Sequence, residues 1–251
     1  MGSRPGEPDS AFSVQALFPA AIENEIIINR TGYSISYNCA FNIANWVSYE
    51  LTGEETKPMV KRKNNFKPDP LLDSCNVVPD DYARSGYDKG HLAPSADMCW
   101  SAQSMEESFY MTNMAPQKPR FNRGIWKRLE DQTRDWAVEN KTVFVVTGPV
   151  LKQGLAVIGE NRISVPGSFF RVVLDFTGPE IKGIAFIMAN KRLSGPLKNF
   201  AVSIDSVEKL TGLDLFYSLP DDTETALEGA LNPDAWFLKG KSLKNEEDDT
   251  D

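Results

Sequence analysis

The sequence predicts an α+β protein: one domain with a mixed, largely antiparallel sheet and a long helix packed against it. Three observations support this. β-rich runs recur at 33–39, 45–51, 142–147, 169–176 and 182–188, and a Gly178-Pro179 turn between the last two is too short for a crossover helix. The stretch 120–139 carries an apolar stripe at helical spacing, Ile125, Leu129, Gln132 and Trp136. No internal repeat or linker divides the chain, so these elements share one unit.

In chain order, residues 1–13 read as a flexible arm and 14–240 as the domain. Residues 241–251 read as an acidic disordered tail. The first ten residues are polar and do not read as a signal peptide; Met1-Gly2-Ser3 is compatible with a cloning scar, in which case a natural leader would have been removed. Apolar residues at 21–28 suit an edge segment. Alternation over 33–39 and the run 45–51 predict two paired strands. Pro68-Asp69-Pro70 keeps 57–79 in loops, and Gly90 and Pro94 place His91 in a loop as well. A short helix is expected at 101–108 and a brief strand at 109–112, ended by Asn113 and Pro116. The long helix follows. A buried strand at 142–147 ends in a Gly-Pro turn. A short strand at 163–165, the hairpin 169–188, and helices at 204–211 and 221–231 complete the chain.

No run approaches the roughly 18–20 apolar residues of a membrane helix, so no membrane partner is expected. Cys39, Cys75 and Cys99 form no Cys-x-x-Cys pair. One disulfide with a spare thiol and three free thiols are both compatible with the chain. The net charge of −8 argues at first against a polyanionic substrate. Its distribution argues otherwise, because 246–251 supplies five of the negative charges. Basic residues gather at Lys57, Lys61, Arg62, Lys63 and Lys67, and at Lys118, Arg120, Arg123, Lys127, Arg128 and Arg134. The plain reading of either group is a solvated face; together they flank His91.

His91 is the only histidine, and its ordinary pKa of about 6.5 suits proton transfer near neutrality. A lone histidine is most often a hydrogen-bonded turn residue. Here Asp88, Lys89, Gly90 and Pro94 surround it with charge and backbone constraint. Downstream, Asn122 and Glu130 lie eight residues apart, within about 80° of one another on a regular helix. Arg134, four residues beyond Glu130, is placed for a salt bridge to it. The spacing suits a metal site; the plainer alternative is a helix cap and a surface ion pair.

These residues resemble the DNA/RNA non-specific endonuclease family, which includes secreted bacterial nucleases and mitochondrial endonuclease G. The motifs are Asp88-Lys89-Gly90-His91 followed by Leu92-Ala93-Pro94, then Thr112-Asn113-Met114-Ala115-Pro116-Gln117, then Asn122, Trp126 and Glu130, and lastly Thr147-Gly148-Pro149. A weaker match is Val165-Pro166-Gly167-Ser168-Phe169-Phe170. The resemblance implies a ββα-metal (His-Me finger) catalytic core with a long metal-site helix. It implies hydrolysis of DNA and RNA to 5′-phosphorylated fragments. His91 would be the general base and Asn122 the protein ligand of one Mg²⁺ or Mn²⁺. Glu130 would act on that ion through bound water, and Asn113 and Asp88 would support the site. Lys89 and Arg62 would neutralise phosphate charge, with Lys63 the alternative to Arg62, and Arg134 a further phosphate contact.

The family signature has Arg where this chain has Lys89. A point charge replaces a planar fork there, so activity is expected with a reduced rate or a shifted pH or salt preference. The alternatives are a member that binds nucleic acid without cutting it, a phosphodiesterase with another substrate, and an interaction domain using the acidic surface. A homodimer stays open. The resemblance implies a secreted or periplasmic protein, or alternatively a mitochondrial one.

Overall fold

The computed structural model describes residues 17–178 and 181–237. The arm expected at 1–13, the tail at 241–251 and Pro179 of the expected turn lie outside the described residues. The strands are β1 (Ile26–Asn29), β2 (Ser34–Asn38), β3 (Ile43–Thr52), β4 (Asp88–His91), β5 (Met114–Gln117), β6 (Thr142–Pro149), β7 (Val157–Ile158), β8 (Ile163–Ser164), β9 (Ser168–Asp175), β10 (Lys182–Ala189) and β11 (Ala201–Val202). The helices are α1 (Ala102–Glu107), α2 (Lys127–Asn140), α3 (Ile204–Thr211) and α4 (Asp221–Gly229). Seven strands form one sheet in the order β1-β2-β3-β6-β9-β10-β11, antiparallel at each step. Among the described residues the parallel contact is one isolated bridge, Lys67 to Tyr110.

The sheet is covered on both faces, which explains its nearly continuous apolar runs. Val143 and Val145 of β6 and Phe169 and Val173 of β9 pack beneath Leu129 and Trp136 of α2. The alternate residues Phe144, Val146, Phe170 and Leu174 pack beneath Ile204, Val207 and Leu227 of α3 and α4. β3 and β6 are neighbours in the sheet, yet 53–141 separates them in sequence. That excursion holds β4, β5 and α2. The β4–β5 ribbon is a separate antiparallel pair that leads into the α2 region, a ββα unit.

Several expectations are corrected. His91 ends a strand instead of sitting in a loop, and Pro116 lies inside β5 opposite Lys89. Pro116 is tolerated because a two-stranded ribbon needs donors along one edge only. Residues 111–113 form a 3₁₀ turn where a strand was expected. Gly148 and Pro149 remain in β6; a Cβ on Gly148 would meet the Asn45 carbonyl at 2.5 Å. The long helix is not regular at its start: 121–126 forms a wide turn broken at Gly124 (φ −105°, ψ −114°), and regular α-helix begins at Lys127. Gln132 is half-buried, and Thr133 takes the inward place with its hydroxyl donating to the Leu129 carbonyl. α4 stops at Gly229, short of the expected 231. Cys39 is disulfide-bonded to Cys75, and Cys99 is a buried free thiol.

Candidate active site

His91 closes β4 opposite Met114. Gly90 beside it leaves room for Gln117: a Cβ there would lie 2.2 Å from that side chain, which would have to move. Buried Asn113 clamps the chain just after His91. Its Oδ1 accepts from the Ala93 amide at 2.9 Å, and its Nδ2 donates to the Ala93 and Ser108 carbonyls at 2.9 Å. The imidazole lies between Phe66 and Phe109, with ring centroids 5.8 and 5.0 Å away. Its Nε2 is buried without a hydrogen-bond partner, unlike the satisfied turn histidine of the plain reading. Burial, with a smaller contribution from Arg62, lowers its pKa to about 3. The ring is therefore neutral at pH 7.

His91 opens into a cleft of about 490 Å³. Asn122, Glu130, Asp88, Lys89, Arg62 and Arg134 line it as well; Lys63 is exposed outside that lining, near Glu106. Asn122 donates from Nδ2 to Asp88 Oδ2 at 2.9 Å. The same carboxylate takes two hydrogen bonds from Arg123, at 2.8 and 2.7 Å. Asp88 thus orients the Asn122 amide and leaves Oδ1 as the acceptor that residue can offer. Burial raises the Glu130 pKa to about 7, and nearby Arg171 opposes that shift.

The basic side chains divide into two groups. Among the described residues Arg62 and Lys89 form no salt bridge. Arg62 lies over the Phe109 ring at 5.3 Å and donates to Asn64 at 2.7 Å. Lys89 sits near the Phe66 and Tyr82 rings, at 5.3 and 5.5 Å. Arg123, Lys127 and Arg134 are ion-paired. The expected Glu130–Arg134 bridge does not form. Arg134 instead pairs with Asp97 at 2.6 Å and with Asp131, because Asp97 is wholly buried and needs a counter-charge.

Two side chains that shape the site escaped the sequence reading. Asp97 accepts from the Tyr49 hydroxyl at 2.8 Å as well as from Arg134, tying β3 to α2. Arg171 is wholly buried on β9 and reaches Glu130. The available signal for Arg171 was a single charge inside Phe169-Phe170-Arg171-Val172-Val173.

An amide oxygen from Asn122, with the Glu130 carboxylate in the same cleft, is a hard-oxygen donor set. It fits a divalent cation that keeps most of its waters. A second carboxylate group, Asp205, Glu208 and Glu228, lies on α3 and α4 on the opposite face of the sheet, with oxygens within 4.8 Å of one another. Burial, then Glu208, Glu224, Asp205 and Asp214, push Glu228 up to about 8. This group is remote from the cleft and takes no part in it.

A ββα unit that gathers a buried histidine, an oriented asparagine and two cations free of salt bridges in one cleft has the groups that a phosphodiester hydrolase needs. Comparison with known proteins specifies the family. The DNA/RNA non-specific endonuclease family matches residues 14–222. A nuclease of Nostoc sp. is 34% identical over 212 residues, covering 80% of this chain and 76% of that protein. Human mitochondrial endonuclease G is 32% identical over 200 residues, covering 74% and 67%. The crystal structure of an EndoG/EndoGI complex, which concerns EndoG inhibition, superposes with a TM-score of 0.76 at 28% identity, covering 84% of this chain and 92% of that one. The chain belongs to the DNA/RNA non-specific endonuclease family, and it is a nuclease that hydrolyses phosphodiester bonds.

Proposed function

We propose that His91 is the general base of this nuclease and that Asn122 Oδ1 holds its metal, Mg²⁺ or alternatively Mn²⁺. The observation that carries this is the buried, partnerless imidazole in one cleft with an amide already oriented by Asp88. Water attacks the phosphorus in line, and neutral His91 accepts its proton. A bound divalent ion supplies Lewis-acid stabilisation of the phosphate and of the departing oxygen. Arg62 and Lys89, unpaired in the cleft, neutralise the non-bridging oxygens. Glu130 would orient the hydration water of such an ion, and Arg134, held by Asp97 and Asp131, completes the basic wall. The 3′ oxygen leaves, so the products carry 5′ phosphates. Contacts to phosphate rather than to base edges make both DNA and RNA substrates. The Cys39–Cys75 disulfide supports a secreted or periplasmic location, the mitochondrial one being the alternative.

Digestion of plasmid DNA and total RNA with Mg²⁺, with EDTA, and with His91→Ala tests this reading. Both substrates should be cut, EDTA should stop cleavage, and His91→Ala should lose at least about 100-fold. Retention of most activity by His91→Ala would remove the role given to the histidine. Full-rate cleavage in EDTA would remove the role given to Asn122.

A further inference from the structure

Arg171 is the side chain the mechanism above does not use. β9 lies between β6 and β10 in the interior of the sheet, and Phe169, Arg171 and Val173 point toward α2. Phe169 and Val173 fill the core there. Arg171 sits among them fully buried, where an apolar residue would be the cheaper choice. Its contacts explain what the charge does. Nη2 donates to the carbonyl of Leu92, the residue after His91, at 3.3 Å. The same nitrogen lies 3.7 Å from Glu130 Oε1. The guanidinium stands 5.0 Å from the centre of the Trp126 ring, at the junction between the Asn122 turn and α2. Nε and Nη1 have no partner, so these contacts hold the group. Arg171 does not line the cleft and cannot touch substrate.

Resting on the nuclease reading, we propose that Arg171 is a positioning residue: it anchors the Glu130 carboxylate to one rigid point of the sheet. Without it Glu130 would turn away from the ion, while the DNA-contacting cations would keep their places.

A double-variant cycle tests this, using Arg171→Met, Glu130→Gln, the combination, and Arg171→Lys. kcat, KM for DNA, the Mg²⁺ concentration for half-maximal rate, and Tm are read for each. Arg171→Met should lower kcat at least tenfold and raise the Mg²⁺ requirement, with KM changed less than threefold. Arg171→Lys should recover part of the loss. In the Glu130→Gln background Arg171→Met should cost less than threefold, and the two changes should be non-additive in Tm. A folded Arg171→Met with wild-type kcat and Mg²⁺ requirement would overturn the proposal. So would a tenfold further loss in the combination relative to Glu130→Gln. If Arg171→Met alone does not fold, the combination still decides the matter, because it leaves no unpaired buried charge. Failure of the nuclease reading is separable: the wild type would then cut nothing, and the Tm cycle would still report the Arg171–Glu130 coupling, with additivity refuting it.

Discussion

A histidine that ordinarily titrates near 6.5 is held neutral here by desolvation between two phenyl rings, with the Arg62 charge adding to the effect. The direction of the shift sets a kinetic expectation. Because the pKa falls to about 3, the proton-accepting form persists as pH drops through 6.5. The pH profile of kcat/KM reports the free enzyme; read in the Glu130→Gln protein, which lacks the carboxyl raised to about 7, it should show no inflection near 6.5 between pH 5 and 8 at constant ionic strength. A limb centred at 6.5 and absent at higher pH would mean that the ring is more exposed to water than the structure indicates. At this scale the sequence showed the residues that short local motifs carry: the structure brings His91, Lys89, Asn122, Glu130, Arg62 and Arg134 to one cleft. It did not show Arg171 or Asp97, whose partners lie 41 and 37 residues away or more and answer to burial, not to spacing. The Glu130–Arg134 pairing failed for the same reason. An i,i+4 preference is worth a few tenths of a kcal/mol, and a wholly buried Asp97 outweighs it.

Elements were legible where one face alternates or one stripe repeats, as in β2, β3, β9, β10 and α3. They were misread where a side chain overrode the local pattern. β4 has no apolar alternation to reveal it, and it is a strand because Gly90 admits Gln117 and β5 supplies the ladder. The wide turn before α2 breaks at Gly124, where the backbone leaves helical angles, and no apolar period marks that break in the sequence. The α3–α4 pair carries a different consequence. Glu228 is buried beside Glu208, Glu224, Asp205 and Asp214, and its folded pKa of about 8 lies above the ordinary value of 4.5. Between those values the folded state binds more protons than the unfolded chain, so stability falls as pH rises from about 4.5 to about 8. Glu228→Gln removes the charge and keeps the shape. It should raise Tm at pH 8.5 by roughly 2–4 °C, on the order of 1 kcal/mol, and leave Tm at pH 5 almost unchanged. An equal effect at both pH values would show that Glu228 does not change protonation in this range.

For the whole molecule, the net charge of −8 and a nucleic-acid substrate are reconciled by where the charges lie. Repulsion from distant acids is screened beyond about 10 Å at 0.1 M salt, whereas the cleft presents five basic against three acidic side chains. The ion pairs decide how much of that basic charge reaches a phosphate. Arg123 is committed to Asp88, Lys127 to Asp131, and Arg134 to Asp97 and Asp131. Arg62 and Lys89 remain. Each phosphate neutralised releases counterions and steepens the salt dependence of duplex binding by about 0.9 in log–log slope. These two uncommitted cations therefore give a slope of about −2, and all five would give about −4.5. Anisotropy titrations of a labelled duplex with the His91→Ala protein, from 20 to 300 mM salt, measure this directly. A slope between about −1.5 and −3 is expected, with Lys89→Gln flattening it by about 1. A slope near −4.5 would mean that the Asp88, Asp97 and Asp131 pairs open to let DNA in, and Asn122 would then lose its Asp88 anchor whenever substrate binds. A slope near zero would mean that this cleft does not hold the phosphate backbone at all.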